Sequence, residues 1–176
     1  MIDKETFRKI EGRLYRYYKQ LKIIEKLKSK VLLLWRQKEQ IEKEEVELKN
    51  LDIDTGLNMG IDYSRERIQS SSSGVGEAER ETIKYIDNLD KQLKYVVRNI
   101  LKINARIREL ELQIQDMQFN LSMLNEESKR FIEWKYGEEK SIEWISEEMY
   151  QGARSTAYRK REELVEGIAQ WCNVIR

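Results

Sequence analysis

Residues 86–124 read IDNLDKQLKYVVRNILKINARIRELELQIQDMQFNLSML. Ile86, Leu93, Ile100, Ile107, Ile114 and Leu121 recur every seven positions, and so do Leu89, Val96, Ile103, Leu110, Met117 and Leu124. The two series fill both core positions of a heptad repeat, the spacing that keeps an apolar seam on one side of an α-helix. At 1.5 Å per residue the seam is about 58 Å long. Each large side chain left in water would forfeit roughly 1.5–3 kcal/mol. The helix expected over 77–124 therefore demands a partner of similar length.

The nearest partner lies upstream. From Lys4 to Asn50 the apolar positions Phe7, Ile10, Leu14, Tyr17, Leu21, Ile24, Leu27, Val31, Leu34, Ile41 and Leu48 advance mostly in threes and fours. One phase slip falls between Ile24 and Leu27, which strains a supercoil without ending a helix. Asp3 fits the N-cap, where a carboxylate accepts from a first-turn N–H. Residues 51–76 hold Gly56, Gly60, Gly74, Gly76 and the run Ser70-Ser71-Ser72-Ser73, a composition that favours turns. The chain is expected to reverse there, with the richer stretch 61–69 docking back on the helices. The expected architecture is all-α: a long antiparallel helical hairpin, a coiled coil, over 1–124, then a helix-turn-helix domain over 125–176. Pairing between chains competes with the hairpin. Pairing within one chain avoids an association cost of about 4–15 kcal/mol, so a monomer or homodimer is expected rather than a large ring.

Composition agrees with long helices and removes several function classes. The 176 residues include no proline and only eight glycines, and 37% are Asp, Glu, Lys or Arg. No apolar run approaches a membrane span. The start, Met1-Ile2-Asp3-Lys4-Glu5, has the composition of neither a secretion signal nor a transit peptide, so the expected compartment is the cytoplasm. There is no histidine, and Cys172 is the single cysteine. An internal disulfide, a Cys/His zinc site and histidine acid–base chemistry are thereby ruled out. With no glycine-rich phosphate loop and no nucleophile–base pair, no enzyme activity, catalytic residue, metal or cofactor is expected.

Charge is unevenly spread behind a net of +1. Lys4 to Lys30 carries ten Lys or Arg against three Glu, and Lys91 to Arg108 carries six bases and no acid. Glu39 to Asp54 is the reverse, with seven acids against two lysines. Such polarity orients a protein on a polyanion or a charged partner; a solvated helix surface is the plain alternative.

After Leu124 the heptads stop and short capped segments begin. Asn125 can cap a helix to Tyr136, Gly137 fits the left-handed position that ends it, and Ser141 can cap a helix from Ile142 to Met149. The turn Tyr150-Gln151-Gly152 leads to a last helix over 153–175. Two short helices joined by a glycine-containing turn follow the helix-turn-helix plan. The first turns of that last helix carry Arg154, Arg159, Lys160 and Arg161 with no acid, whereas Glu126 to Glu148 holds eight Glu against four Lys or Arg. Recognition helices meet the major groove through their N-terminal residues, where bases attract phosphate and acids repel it. A helical tail with a local basic run is the plainer reading of the same residues. The DNA-reading assignment gives Arg154 and Arg159 guanine edges or phosphates, Ser155 and Tyr158 further hydrogen bonds, and Lys160 the backbone.

Leu124-Asn125-Glu126-Glu127, Phe131-Ile132-Glu133-Trp134-Lys135-Tyr136, Ser141-Ile142-Glu143-Trp144-Ile145 and Arg154-Ser155-Thr156-Ala157-Tyr158-Arg159 together resemble region four of bacterial sigma factors. More closely they resemble phage transcriptional regulators of the RinA and ArpU type. The resemblance covers about fifty residues, and upstream it extends only to general layout. It departs at Tyr150-Gln151-Gly152-Ala153, which replaces a leucine-glycine-apolar-serine turn and is one residue longer. It implies sequence-specific binding of double-stranded DNA, activation of late phage genes, and RNA polymerase as a second partner. The alternative is a small DNA-recognition subunit of a viral DNA-packaging terminase, a class that also joins a helix-turn-helix to helical oligomerisation segments.

Overall fold

The computed structural model describes residues 2–57 and 77–172. Among them are five helices and no strand. Helix α1 spans Lys4–Leu57, α2 Glu77–Ser122, α3 Glu126–Ile132, α4 Ile142–Tyr150 and α5 Arg154–Trp171. A π-helical turn, Glu133–Gly137, continues α3. Helix α1 runs seven residues beyond the expected Asn50, so residues 51–57 belong to the helix rather than to the linker. The expected docking of 61–69, and the expected end of the last helix at 175, lie outside the described residues. No described helix is long and apolar enough to cross a membrane.

The first helix packs on the second, and the compact units do not follow the change of sequence style at Leu124. One unit comprises Met1–Leu27 with Arg106–Arg176, the other Lys28–Ala105. The start of α1 thus shares a unit with the end of α2, and the end of α1 shares one with the start of α2. The pairing is antiparallel.

In the unit formed by 28–105, Ile41 of α1 is buried with Leu89, Val96 and Ile100 of α2, and Val31, Leu34, Leu48 and Leu93 pack around them. These are the heptad positions of α2 and the matching stripe of α1. Ion pairs here, Lys38–Glu42, Lys43–Glu47 and Lys94–Asp90, join residues four apart on one helix. Such local pairs, exposed at Lys43–Glu47 and Lys94–Asp90 and half-buried at Lys38–Glu42, contribute only a few tenths of a kcal/mol each, roughly, so burial of the seam holds this unit.

In the other unit the seam continues through Ile10, Leu14, Tyr17 and Ile24 of α1 and through Ile107, Leu110, Ile114, Met117 and Leu121 of α2, all buried. Asp3 caps α1, its Oδ2 accepting from the amides of Glu5 (3.2 Å) and Thr6 (3.1 Å). Gln20 Nε2 donates to Gln113 Oε1 at 2.8 Å, joining the two helices at the edge of the seam. Onto this pair is built a second core of Phe131, Ile132, Tyr136, Ile142, Ile145, Ala157, Val165 and Ile168. The predicted caps are in place: Asn125 Oδ1 accepts from Ser128 N (2.9 Å) and Ser141 Oγ from Trp144 N (3.1 Å).

Gly137 has a different role from the one its sequence context predicts. It lies inside the π turn, and the left-handed residue beyond it is Glu139, with φ 59°. Closure comes from the Lys140 amide, which donates to Trp134 O at 2.8 Å. What excludes a side chain at Gly137 is the ring of Tyr18, since a Cβ there would lie 2.9 Å from Tyr18 Cδ1. Gly137→Ala should therefore destabilise the chain by about 1–3 kcal/mol through overpacking. Urea denaturation of the variant checks this, and a midpoint equal to wild type would mean that the Tyr18 ring moves aside freely.

Candidate nucleic-acid interface

Helices α4 and α5 are joined by three residues. Gln151 takes the left-handed conformation at φ 50°, Gly152 follows at φ 83°, and the Gly152 amide donates back to Ser146 O at 2.8 Å. A glycine suits the second of these positions because a side chain at positive φ meets its own backbone. Ala153 occupies the N-cap of α5 and provides no side-chain hydrogen bond. The first turn of α5 has no acid.

Four of the five sequence-predicted contact residues, Arg154, Ser155, Tyr158 and Arg159, come together as exposed side chains on the first two turns of α5. Tyr158 also donates its hydroxyl to Glu143 Oε1 of α4 at 3.3 Å. The Glu143 carboxyl is held below its ordinary range, by its own backbone amide first and then by Ser141, Tyr158 and the nearby charge of Arg154. Lys160 stands apart from this group. Its side chain is 18% exposed, with Nζ 3.9 Å from Glu163.

The fourth base of that run, Arg161, is turned inward. Its Nε and Nη2 donate to the two carboxylate oxygens of Glu11 on α1, at 2.8 and 2.7 Å. Tyr136 Oη donates to the same Glu11 Oε1 at 2.7 Å, and the guanidinium lies 5.1 Å from the Phe7 ring centre. Burial pulls the Arg161 pKa down, but hydrogen bonding and charge from Glu11 outweigh it and the net shift is upward. Burial first, then the Glu11 hydrogen bond, pushes the Tyr136 hydroxyl well above the usual tyrosine range. Tyr15 meets Tyr136 edge to face at 5.0 Å, and Lys22 Nζ donates to Gly137 O at 2.5 Å.

Sequence reasoning placed Arg161 in the basic run and left Glu11 unremarked. The available signal was Glu11 itself, an acid isolated within the basic stretch from Arg8 to Lys22. Nothing in the spacing ties position 11 to position 161.

Helix α4 is fastened from the opposite side. Trp134 and Trp144 pack edge to face at 5.0 Å, Lys140 Nζ sits 5.0 Å from the Trp144 ring centre, and Tyr150 Oη donates to Glu127 Oε1 at 2.9 Å. The acids of α3 and α4 are thereby held on elements that support α5. Among the described residues no group of three or more His, Cys, Asp or Glu side chains could hold a metal ion.

No protein family, curated protein sequence or solved structure matches this chain.

The Glu11 and Arg161 side chains are 14% and 25% exposed. Glu11→Ala would strip the guanidinium of its partner and leave the Tyr136 hydroxyl unbonded, so a loss of roughly 2–4 kcal/mol is expected. Chemical denaturation against wild type measures it, and a loss under about 0.5 kcal/mol, the scale of an exposed pair, would refute the network. The raised Tyr136 pKa gives a second expectation with a definite sign. A tyrosine that stays protonated in the folded chain while it ionises in the unfolded one contributes stability that is fully present below its unfolded pKa, 10.0, and lost as pH rises above it. The fall is at most about 1.4 kcal/mol per pH unit from this group. Tyr136→Phe should show a shallower alkaline decline than wild type when melting is followed from pH 8 to 11, on the order of these values; equal slopes would contradict the assignment.

Proposed function

We propose that α4, the turn at Gln151–Ala153 and α5 form a helix-turn-helix that binds double-stranded DNA sequence-specifically, with the N-terminal turns of α5 entering the major groove. One observation carries the reading. Arg154, Ser155 and Arg159 are exposed on an acid-free, side-chain-uncapped helix start, while the remainder of the helix is anchored by Ala157, Arg161, Leu164, Val165 and Ile168. Major-groove readers need such a combination, because base discrimination requires side chains held at fixed register by a packed rear face. Arg159 is the residue best placed for a base edge, and Arg154 for a phosphate or a base. Tyr158, tied to Glu143, positions the start of α5 and offers its ring edge. Lys160 contributes to the general field. The eight glutamates from Glu126 to Glu148 would repel phosphate and so favour approach by α5.

The resemblance to sigma region four and to RinA- and ArpU-type regulators supports a role as a phage or prophage transcriptional regulator, an activator of late genes that works beside RNA polymerase. The test is selection of bound fragments from the source genome, followed by competition binding on the selected site at fixed salt. Promoter-proximal fragments are expected. Arg159→Ala should weaken the selected site by about 1–3 kcal/mol and relax preference at the base it reads. Wild-type affinity in a folded Arg159→Ala protein would remove α5 as the reading helix.

A further inference from the structure

Seven positions of α1, namely Lys4, Arg8, Gly12, Tyr15, Lys19, Lys22 and Lys26, follow one another in steps of four, four, three, four, three and four. That spacing draws a single line along a helix, and all seven residues are exposed. Five are cations and none is an acid. Lys22 reaches back to Gly137 O, whereas Lys4, Arg8, Lys19 and Lys26 are in no ion pair among the described residues. Of the acids nearest in sequence, Glu11 is engaged by Arg161 and Tyr136, Glu25 has a partner of its own, and Glu5, three residues before Arg8 and seven before Gly12, is the one acid left at the start of the same face. At Gly12 the helix surface is bare, with open space where a side chain would be. From Lys4 to Lys26 the line covers 22 residue steps, about 33 Å, close to the roughly 34 Å of one turn of B-DNA.

The line also begins beside α5. Lys4, Phe7, Arg8 and Glu11 form one wall of a cleft of about 430 Å³ whose other wall is Arg161, Glu162 and Glu166 of α5. The Glu11–Arg161 bridge fixes that adjacency. Arg161 is seven residues beyond Arg154, so the start of α5 and the start of the α1 line are separated by about two helical turns plus the width of the cleft. The acids on the α5 wall make the cleft itself a poor phosphate site. Lys4 and Arg8 share that cleft with Glu162 and Glu166, and Lys19 and Lys22 share a second one with Glu139, but the five cations of the line outnumber these three acids.

We infer that the Lys4–Arg8–Lys19–Lys26 line is a second DNA contact, a backbone-tracking surface that binds phosphates flanking the site read by α5. The inference rests on the helix-turn-helix reading and adds a contact which carries affinity without sequence preference. Lysines and an arginine on a rigid helix neutralise phosphates and release counterions, so the signature is salt dependence.

The experiment uses the full chain and a labelled duplex bearing the selected site, with a scrambled duplex beside it, titrated over a range of salt. Replacing Arg8 and Lys19 together by glutamine should reduce the slope of log affinity against log salt by about 2. Binding near physiological salt should weaken on the order of tenfold, equally on both duplexes. The charge-retaining pair Arg8→Lys with Lys19→Arg should keep the wild-type slope. If the glutamine variant keeps the wild-type slope while Arg159→Ala still loses the selected site, the α1 contact is overturned and the recognition helix stands. If the wild-type chain binds neither duplex, both readings fall. A loss confined to an RNA duplex of the same sequence, or an equal loss in the charge-retaining pair, would also overturn it.

Discussion

The carboxylate of Glu11 receives three hydrogen bonds, two from Arg161 and one from Tyr136. Through them one residue of α1 holds the middle of α5 and the π turn that follows α3. An arginine fork on a carboxylate is directional as well as strong, because two parallel N–H donors fix the guanidinium plane. A hydrophobic contact alone could slide by a turn with little penalty, but a bidentate pair cannot. The position of α5 against α1 is thus set by an oriented polar contact placed at the edge of an apolar core.

Several features of the C-terminal helices follow from that constraint. Arg161 has to point inward, so the outward basic character of α5 is concentrated in Arg154 and Arg159, nearer the helix start. The π turn brings Tyr136 to Glu11 and Gly137 against the Tyr18 ring, where no side chain would fit. Tyr15 and Lys22 complete the contact from the α1 side. Satisfaction of the buried polar groups is thorough: among the described residues no buried side-chain nitrogen or oxygen lacks a partner. A half-satisfied network in this place would cost more than an apolar one, which is why the three partners act as a set.

The division of labour between polar and apolar contacts differs along the chain. In residues 28–105 the long helices are held by apolar interdigitation, and their ion pairs Lys38–Glu42 and Lys94–Asp90 are local, joining residues four apart on one helix. In the unit containing α3, α4 and α5, aromatic edges, cation–ring contacts and long-range hydrogen bonds add to the buried apolar core in fixing the helices, α3 and α4 being only 7 and 9 residues long. Short helices gain too little from propensity to be stable alone, so their register depends on such tertiary contacts.

The heptads of α2 and the matching stripe of α1 were legible because apolar periodicity is a local property of sequence and burial rewards it directly. Every one of the twelve seam positions is buried or half-buried. The caps at Asp3, Asn125 and Ser141 were legible for the same reason, since a cap acts within three residues of itself. The exposed cluster Arg154, Ser155, Tyr158 and Arg159 followed from helical geometry on one segment. What only the tertiary structure decided are the contacts between positions far apart in sequence: Arg161 with Glu11, Gly137 with Tyr18, and the start of α1 beside α5. Sequence carries the chemical types needed for each of these pairs but not the distance between them. The same arginine reads equally well as a DNA contact or as an anchor until the fold brings a carboxylate to it.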